Sequence, residues 1–170
     1  SGKEASASHI TWDSKPFKAN EGTFFEVSGC YKRYHAPMSR TLYMGKPSQK
    51  FLDAEKALLE AIDAGLEQAK PGNKTSDIAK ALDKIMLKYG IDRHGARCGY
   101  PIGVSYPPDW GERTFSIRAS DDTVLKSGMT FHFMPGIWQD DWGIEITESI
   151  LITNDGYEAF SNHPRKLFVK

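Results

Sequence analysis

Glu26 stands in the run Phe24-Phe25-Glu26-Val27, with apolar side chains on both sides. A carboxylate in such surroundings is either paired or has its pKa raised, because burial penalises the charged form. On an edge strand it would face water instead. A second concentration of chemistry lies between Tyr106 and Arg113, where Pro107-Pro108 fixes two φ angles and removes two backbone donors. That loop carries Tyr106, Asp109, Trp110, Glu112 and Arg113. It reads either as a binding loop or as a surface turn anchored by its Trp. Further on, period-two alternation puts His132 and Met134 on one face of a strand, and Glu145, Thr147 and Ser149 on one face of the next.

The elements that must position these residues follow from the same pattern. Residues 1–20, with His9 and Trp12, are polar and irregular. Gly22–Gly29 reads as a β-strand, β-branched and aromatic between glycines. Cys30–Tyr43 reads as a second strand interrupted at Ala36-Pro37, with Arg40 a surface cation. Between Gln49 and Ala69, Leu52, Leu58, Leu59, Ile62 and Leu66 recur at helical spacing until Pro71-Gly72. Thr75 or Ser76 caps a second helix carrying Ile78, Leu82, Ile85 and Met86, which Gly90 stops. Both helices are scaffold.

A buried strand with Ile102 and Val104 follows, then an irregular span to Ser127. Met129–Trp138 and Trp142–Thr153 are strands joined by a turn at Gln139-Asp140-Asp141, and a short strand closes the chain near Leu167-Phe168-Val169. Glu148 points outward or is structural, and His94 and His163 are surface residues. The order of strands, two helices, then strands is α+β: a curved, mostly antiparallel sheet covered by helices on one side.

At 170 residues the chain is one domain with a real core. Lys+Arg 22 balances Asp+Glu 22, which argues against nucleic-acid and anionic-membrane partners. No apolar run approaches the ~20 residues of a membrane span. Cys30 and Cys98 have no metal-type spacing, and a reducing, cytoplasmic location fits them. Ser1-Gly2 is either a tag remnant or the start of a chain cut inside a larger protein.

The segment Val124–Trp138, containing Ser-Gly-Met-Thr-Phe-His-Phe-Met-Pro-Gly-Ile-Trp, resembles a signature of the creatinase, prolidase and aminopeptidase P superfamily. Three further stretches line up in the family's order. Ser1–His9 looks like the loop bearing its active-site histidine, Phe25–Thr41 like its first two ligand-bearing strands, and Gly143–Thr153 like its last. The resemblance covers nearly the whole chain and implies the α+β pita-bread fold.

Metallopeptidases of that family hold two metal ions with two Asp, one His and two Glu. The matching positions here hold Glu26, Pro37, Tyr100, Met134 and Thr147. A dinuclear site wants several oxygen and nitrogen ligands, so the resemblance implies no metal and no cofactor. The combination of Tyr106–Thr114 with Trp142–Glu148 looks most like the ectoine hydrolase branch, which opens a cyclic amidine to an N-acetyl-diaminobutyrate without metal.

On that resemblance His9, Glu26, His132 and Glu145 are catalytic. His9 accepts and returns a proton, Glu26 is the nucleophile or cation partner, and Glu145 is an amidinium partner or second acid/base. Tyr100, Trp110, Arg113, Met134 and Thr147 contact substrate: the aromatic pair packs on the flat cation, and Arg113, or Arg40, takes the carboxylate. His35, beside Pro37, is left without a role. The partner is a small molecule, and the full-length protein is a homodimer by family analogy. Two other readings stay open: a metal-dependent Xaa-Pro peptidase and a non-catalytic peptide-binding module. The resemblance also implies a C-terminal part of a catalytic domain in a protein of roughly 400 residues.

Overall fold

A computed structural model describes residues 1–10, 14–106 and 108–170; Trp12 and Pro107 lie outside the described residues. The first strand runs past its closing glycine. β1 (Gly22–Tyr31) turns at Lys32-Arg33 into β2 (Tyr34–Tyr43), antiparallel from Gly22 opposite Tyr43 to Tyr31 opposite Tyr34. Both turn residues have positive φ, 48° and 71°, the backbone that a two-residue hairpin requires. Cys30 therefore belongs to β1, which corrects the expected boundary; neither turn residue is the Gly, Asn or Asp that would have signalled it. Pro37 is accommodated within β2 opposite Ser28. The irregular start contains a 3-10 turn at Gly2–Ser6.

The two helices form where periodicity puts them. α1 (Gln49–Leu66) buries Phe51, Ala54, Leu58, Ile62 and Leu66, while Leu52 lies off the stripe and is exposed. α2 (Thr75–Lys88) buries Ile78, Leu82 and Met86. Its cap differs from expectation. Lys74 holds the N-cap position, with its N–H donated to Asp77 Oδ2 at 2.8 Å. Thr75 and Ser76 are already helical, and their hydroxyls donate to Asp121 and Asp122. Gly65 lets the Phe133 ring approach α1; a Cβ there would meet that ring at 2.8 Å. The core thus runs from the helix pair onto Phe131 and Phe133.

The strands after α2 are shorter than the sequence pattern suggests. β3 (Gly99–Pro101), β4 (Thr130–Phe133), β7 (Glu148–Ile152) and β8 (Tyr157–Ala159) form an antiparallel sheet in the order β3-β4-β7-β8. β5 (Gly136–Gln139) and β6 (Trp142–Glu145) form a hairpin across Asp140-Asp141. The expected strand 129–138 is therefore two strands broken at Met134-Pro135, since Pro lacks the donor a ladder needs. The expected strand 142–153 is likewise two, broken at Ile146-Thr147. Val104 is exposed rather than buried, bridging Tyr34. β9 (Phe168–Val169) closes the chain parallel to β2.

What joins β2 to the second half of the molecule is a line of hydroxyls. Thr41 Oγ1 accepts the Glu145 N–H and donates to its carbonyl, both at 2.9 Å. The Ser39 N–H donates to Thr147 Oγ1 at 2.7 Å, and the Thr147 N–H returns to the Ser39 carbonyl at 3.1 Å. Ser149 Oγ donates to the Pro37 carbonyl at 2.7 Å. The three contacts keep one antiparallel register and bring the Glu145 backbone and the Thr147 and Ser149 hydroxyls against β2. Arg40 seals the joint. It is buried, which corrects its reading as a surface cation: it donates to Glu148 Oε1 and to the carbonyls of Ser39, Thr147, His163 and Pro164. Glu148 is correspondingly structural and inward.

Candidate active site

Alternation in β1 turns Glu26 inward while Phe25 and Val27 face out. Its carboxylate Oε2 lies 3.6 Å from His9 Nε2, and Oε1 lies 3.8 Å from His132 Nδ1. His9 is brought there by the Gly2–Ser6 turn, which packs on β6 at Gly143, where a Cβ would collide with the Ala5 carbonyl. His9 itself is largely exposed, so it borders the site rather than forming its floor.

His132 on β4 is the floor, fully buried, with both ring nitrogens engaged. Nδ1 is 2.7 Å from the Tyr100 hydroxyl and Nε2 is 2.8 Å from Thr147 Oγ1. Tyr100 stands directly opposite His132 in the β3–β4 pairing, and its hydroxyl also accepts from Trp110 Nε1 at 2.6 Å. The loop that carries Trp110 is ordered by its own polar groups. Ser105 Oγ donates to the Asp109 carbonyl, the Asp109 carboxylate accepts from the Gly111 N–H, and Ser105 N–H donates to Arg33 on the β1–β2 turn. A single contiguous cluster thus contains His9, Glu26, His132, Tyr100, Trp110 and Thr147.

Glu145, at the end of β6, is buried and accepts from Trp138 Nε1 at 2.9 Å. Burial, and after it the Glu26 charge, pushes its pKa up to about 7. Glu26 is also raised, chiefly by burial, with His9 opposing. Burial lowers His132 to about 3, with Arg97 adding to the effect, so the imidazole is neutral at ordinary pH. Burial holds the Tyr100 phenol well above the usual range. The site therefore offers two carboxyls that share less than two negative charges near neutrality, over a neutral polar floor.

Two further expected contacts have partners of their own. Arg113 is highly exposed and engaged by Asp109 Oδ2, at 2.8 Å from Nη2 and 3.3 Å from Nε. Met134 follows β4 and is tied through its N–H to the Cys98 carbonyl. His35 faces the Arg33 carbonyl and His94 and His163 are exposed, the last stacked on Phe168. Three contributors escaped the sequence reading. Trp138 is the donor to Glu145, Ser39 orients Thr147, and the Arg97 guanidinium lies 5.0 Å from the Tyr100 ring centre. Trp138 and Ser39 were legible as strand residues only; their partners come from other strands.

The donor set does not fit a pair of hard cations. At the positions matching the family's metal ligands, the Pro37 carbonyl is taken by Ser149, Thr147 Oγ1 by Ser39 and His132, and the Tyr100 hydroxyl by Trp110 and His132. Among the described residues no three His, Cys, Asp or Glu converge as a metal site. Glu26 is left as the one anionic ligand of the five positions, too little oxygen for such ions.

The profile of metallopeptidase family M24 matches residues 1–154. The chain is 68% identical over 169 residues to the ectoine hydrolase of Halomonas elongata, covering 99% of this chain and 42% of that protein. It is 42% identical to an uncharacterised hydrolase/peptidase of Sinorhizobium fredii, covering 99% and 43%. Among solved structures, the prolidase of Pyrococcus furiosus superposes with a TM-score of 0.88 at 25% identity, covering 96% of this chain and 48% of that one. The chain spans less than half the length of each.

Proposed function

This chain belongs to metallopeptidase family M24 and has its pita-bread fold, and from that premise we propose that it carries the catalytic residues of a metal-independent hydrolase. The bond cleaved is a carbon–nitrogen bond of a small cyclic amidine, ectoine or a close analogue. The observation that carries this reading is the cluster itself: the family's ligand positions are occupied by a hydrogen-bonded organic acid–base site built on Glu26, His132, Tyr100 and Thr147. The 68% identity to an ectoine hydrolase points to the same substrate class.

The chemistry follows from the charges. An amidinium entering beside Glu26 and Glu145 meets carboxyl groups whose burial makes a counter-cation favourable. Tyr100 and Trp110 offer ring faces to its flat cation, a contact worth ~1–2 kcal/mol when desolvated. The substrate carboxylate is taken by Arg97 beside the Tyr100 ring or by Arg113 on the loop. Glu26 either removes a proton from the water that attacks the amidine carbon, or attacks that carbon itself to form an ester that the water then hydrolyses, losing its proton as the carboxylate is released. His9, 3.6 Å from Glu26, receives and returns that proton. Glu145, protonated up to about pH 7, delivers its proton to the departing nitrogen as the C–N bond breaks. One water is consumed, and ectoine becomes N-acetyl-diaminobutyrate.

In the same reading the chain is the C-terminal part of a catalytic domain, and the full-length protein is a homodimer acting in the cytoplasm. The test is a proton-NMR time course of ectoine with the full-length protein in excess chelator. Appearance of N-acetyl-diaminobutyrate is expected. An unchanged spectrum, with Xaa-Pro dipeptide cleavage appearing on addition of manganese, would replace this reading with the metallopeptidase one.

A further inference from the structure

The neighbours of His132 decide the placement of its ring proton. Trp110 Nε1–H and the Ser39 amide can only donate, and they donate to Tyr100 Oη and Thr147 Oγ1. The imidazole bridges those two hydroxyls. A neutral imidazole donates from one nitrogen and accepts at the other. One hydroxyl proton must therefore be spent on the ring, and the other is free to point elsewhere. Glu26 breaks the tie, since its Oε1 is 3.8 Å from Nδ1. A proton on Nδ1 faces that carboxylate with an N–H; a proton on Nε2 faces it with a lone pair. Thr147 adds a second vote. It is 1% exposed and its hydroxyl contacts are the Ser39 amide and His132, so its proton has an acceptor only when Nε2 is bare.

We infer that Ser39 and Thr147 hold His132 as the Nδ1–H tautomer, and that this makes the Tyr100 hydroxyl a hydrogen-bond donor aimed into the space beside Glu26. With both its lone pairs taken by Trp110 and His132, the Tyr100 oxygen keeps only its proton to offer. That oxygen lies 2.7 Å from His132 Nδ1 and Glu26 Oε1 lies 3.8 Å from the same nitrogen, so the hydroxyl and the carboxylate border one space, where the reacting carbon would sit. Tyr100 is then a catalytic donor to the oxygen that the amidine carbon acquires, while His132, Thr147 and Ser39 are positioning residues. That use of the donor rests on the hydrolase reading above; the tautomer does not.

The experiment uses the full-length protein labelled with ¹⁵N-histidine, without substrate, over about pH 6 to 8 where an ordinary histidine would titrate. The His132 signals are assigned by their loss in His132→Gln. A pyrrole-type Nδ1 and a pyridine-type Nε2, constant across the range, are expected. The reverse pattern, or averaging between the two, overturns the inference. Thr147→Ser should keep the pattern and Thr147→Val should mix it; an unmixed Thr147→Val removes Thr147 from the argument. Tyr100→Phe should lower kcat about 100-fold with KM little changed, the usual loss for one such donor. An unchanged kcat overturns the donor role. Because the nitrogen shifts are read without substrate, a wrong substrate assignment leaves them intact.

Discussion

Glu145 exchanges its proton near neutral pH. Its folded pKa of about 7 exceeds the ordinary 4.5, so the folded protein keeps a proton there that the unfolded chain has released. The stability this supplies is complete below about pH 4.5 and is lost as pH rises through about 7, a difference of roughly 3 kcal/mol end to end. His132 runs the other way. Lowered to about 3 from 6.5, it contributes fully above pH 6.5 and loses that contribution as pH falls toward 3. Between 4.5 and 6.5 the two slopes oppose each other. Glu145→Gln removes one and leaves the other, so its melting temperature should climb with pH up to about 6.5 and then level, while the wild type declines toward 7. The same variant should lose about 100-fold or more in kcat, since the amide accepts from Trp138 but delivers no proton. A variant whose melting curve tracks the wild type at every pH would mean that Glu145 is ionised in the folded protein.

At the scale of elements, the helices were legible because eighteen and fourteen residues of periodic sequence leave little choice. The strands were legible in type but not in extent. Lys32-Arg33 adopts positive φ without a residue that advertises it, and the breaks at Met134-Pro135 and Ile146-Thr147 sit inside stretches whose alternation reads as one strand. Arg40 shows the limit best. Nothing within five residues of it announces burial, because its carboxylate partner is 108 residues away. Removing one member of such a pair strands the other charge. Arg40→Met should therefore destabilise the full-length protein by about 3–5 kcal/mol in urea titration, and adding Glu148→Met should recover most of that loss. A single variant within experimental error of wild type would show that the pair contributes nothing to the joint. The facing side chains of the site were legible for the same reason the helices were: Glu26, His132, Glu145 and Thr147 obey simple alternation, whereas Trp138, Ser39 and Arg97 depend on which strand lies next door.

For the whole molecule, the outward face of β1 is the conspicuous surface. Phe25 and Val27 are 44% and 59% exposed, with Phe17 edge-on against Phe25 and Tyr31 and Tyr34 exposed at the hairpin tip. Neighbouring exposed apolar side chains of this size mark a surface that binds something. The 170-residue chain should consequently self-associate, with sedimentation showing species above 19.0 kDa at micromolar concentration. Phe25→Lys with Val27→Lys should return it to the monomer. A wild-type chain that sediments as a monomer and melts cooperatively would show that this face needs no cover.

The hydroxyl joint between β2 and the β6–β7 turn bears on how the protein reaches its working state. Its three contacts span 104, 108 and 112 residues of chain, against a hairpin and a helix pair whose contacts are local. Closing so long a loop costs entropy that only the finished joint returns. Helices and the β1–β2 hairpin therefore have every reason to form first, and Glu26 waits on a prebuilt strand for Thr147, His132 and Glu145 to arrive.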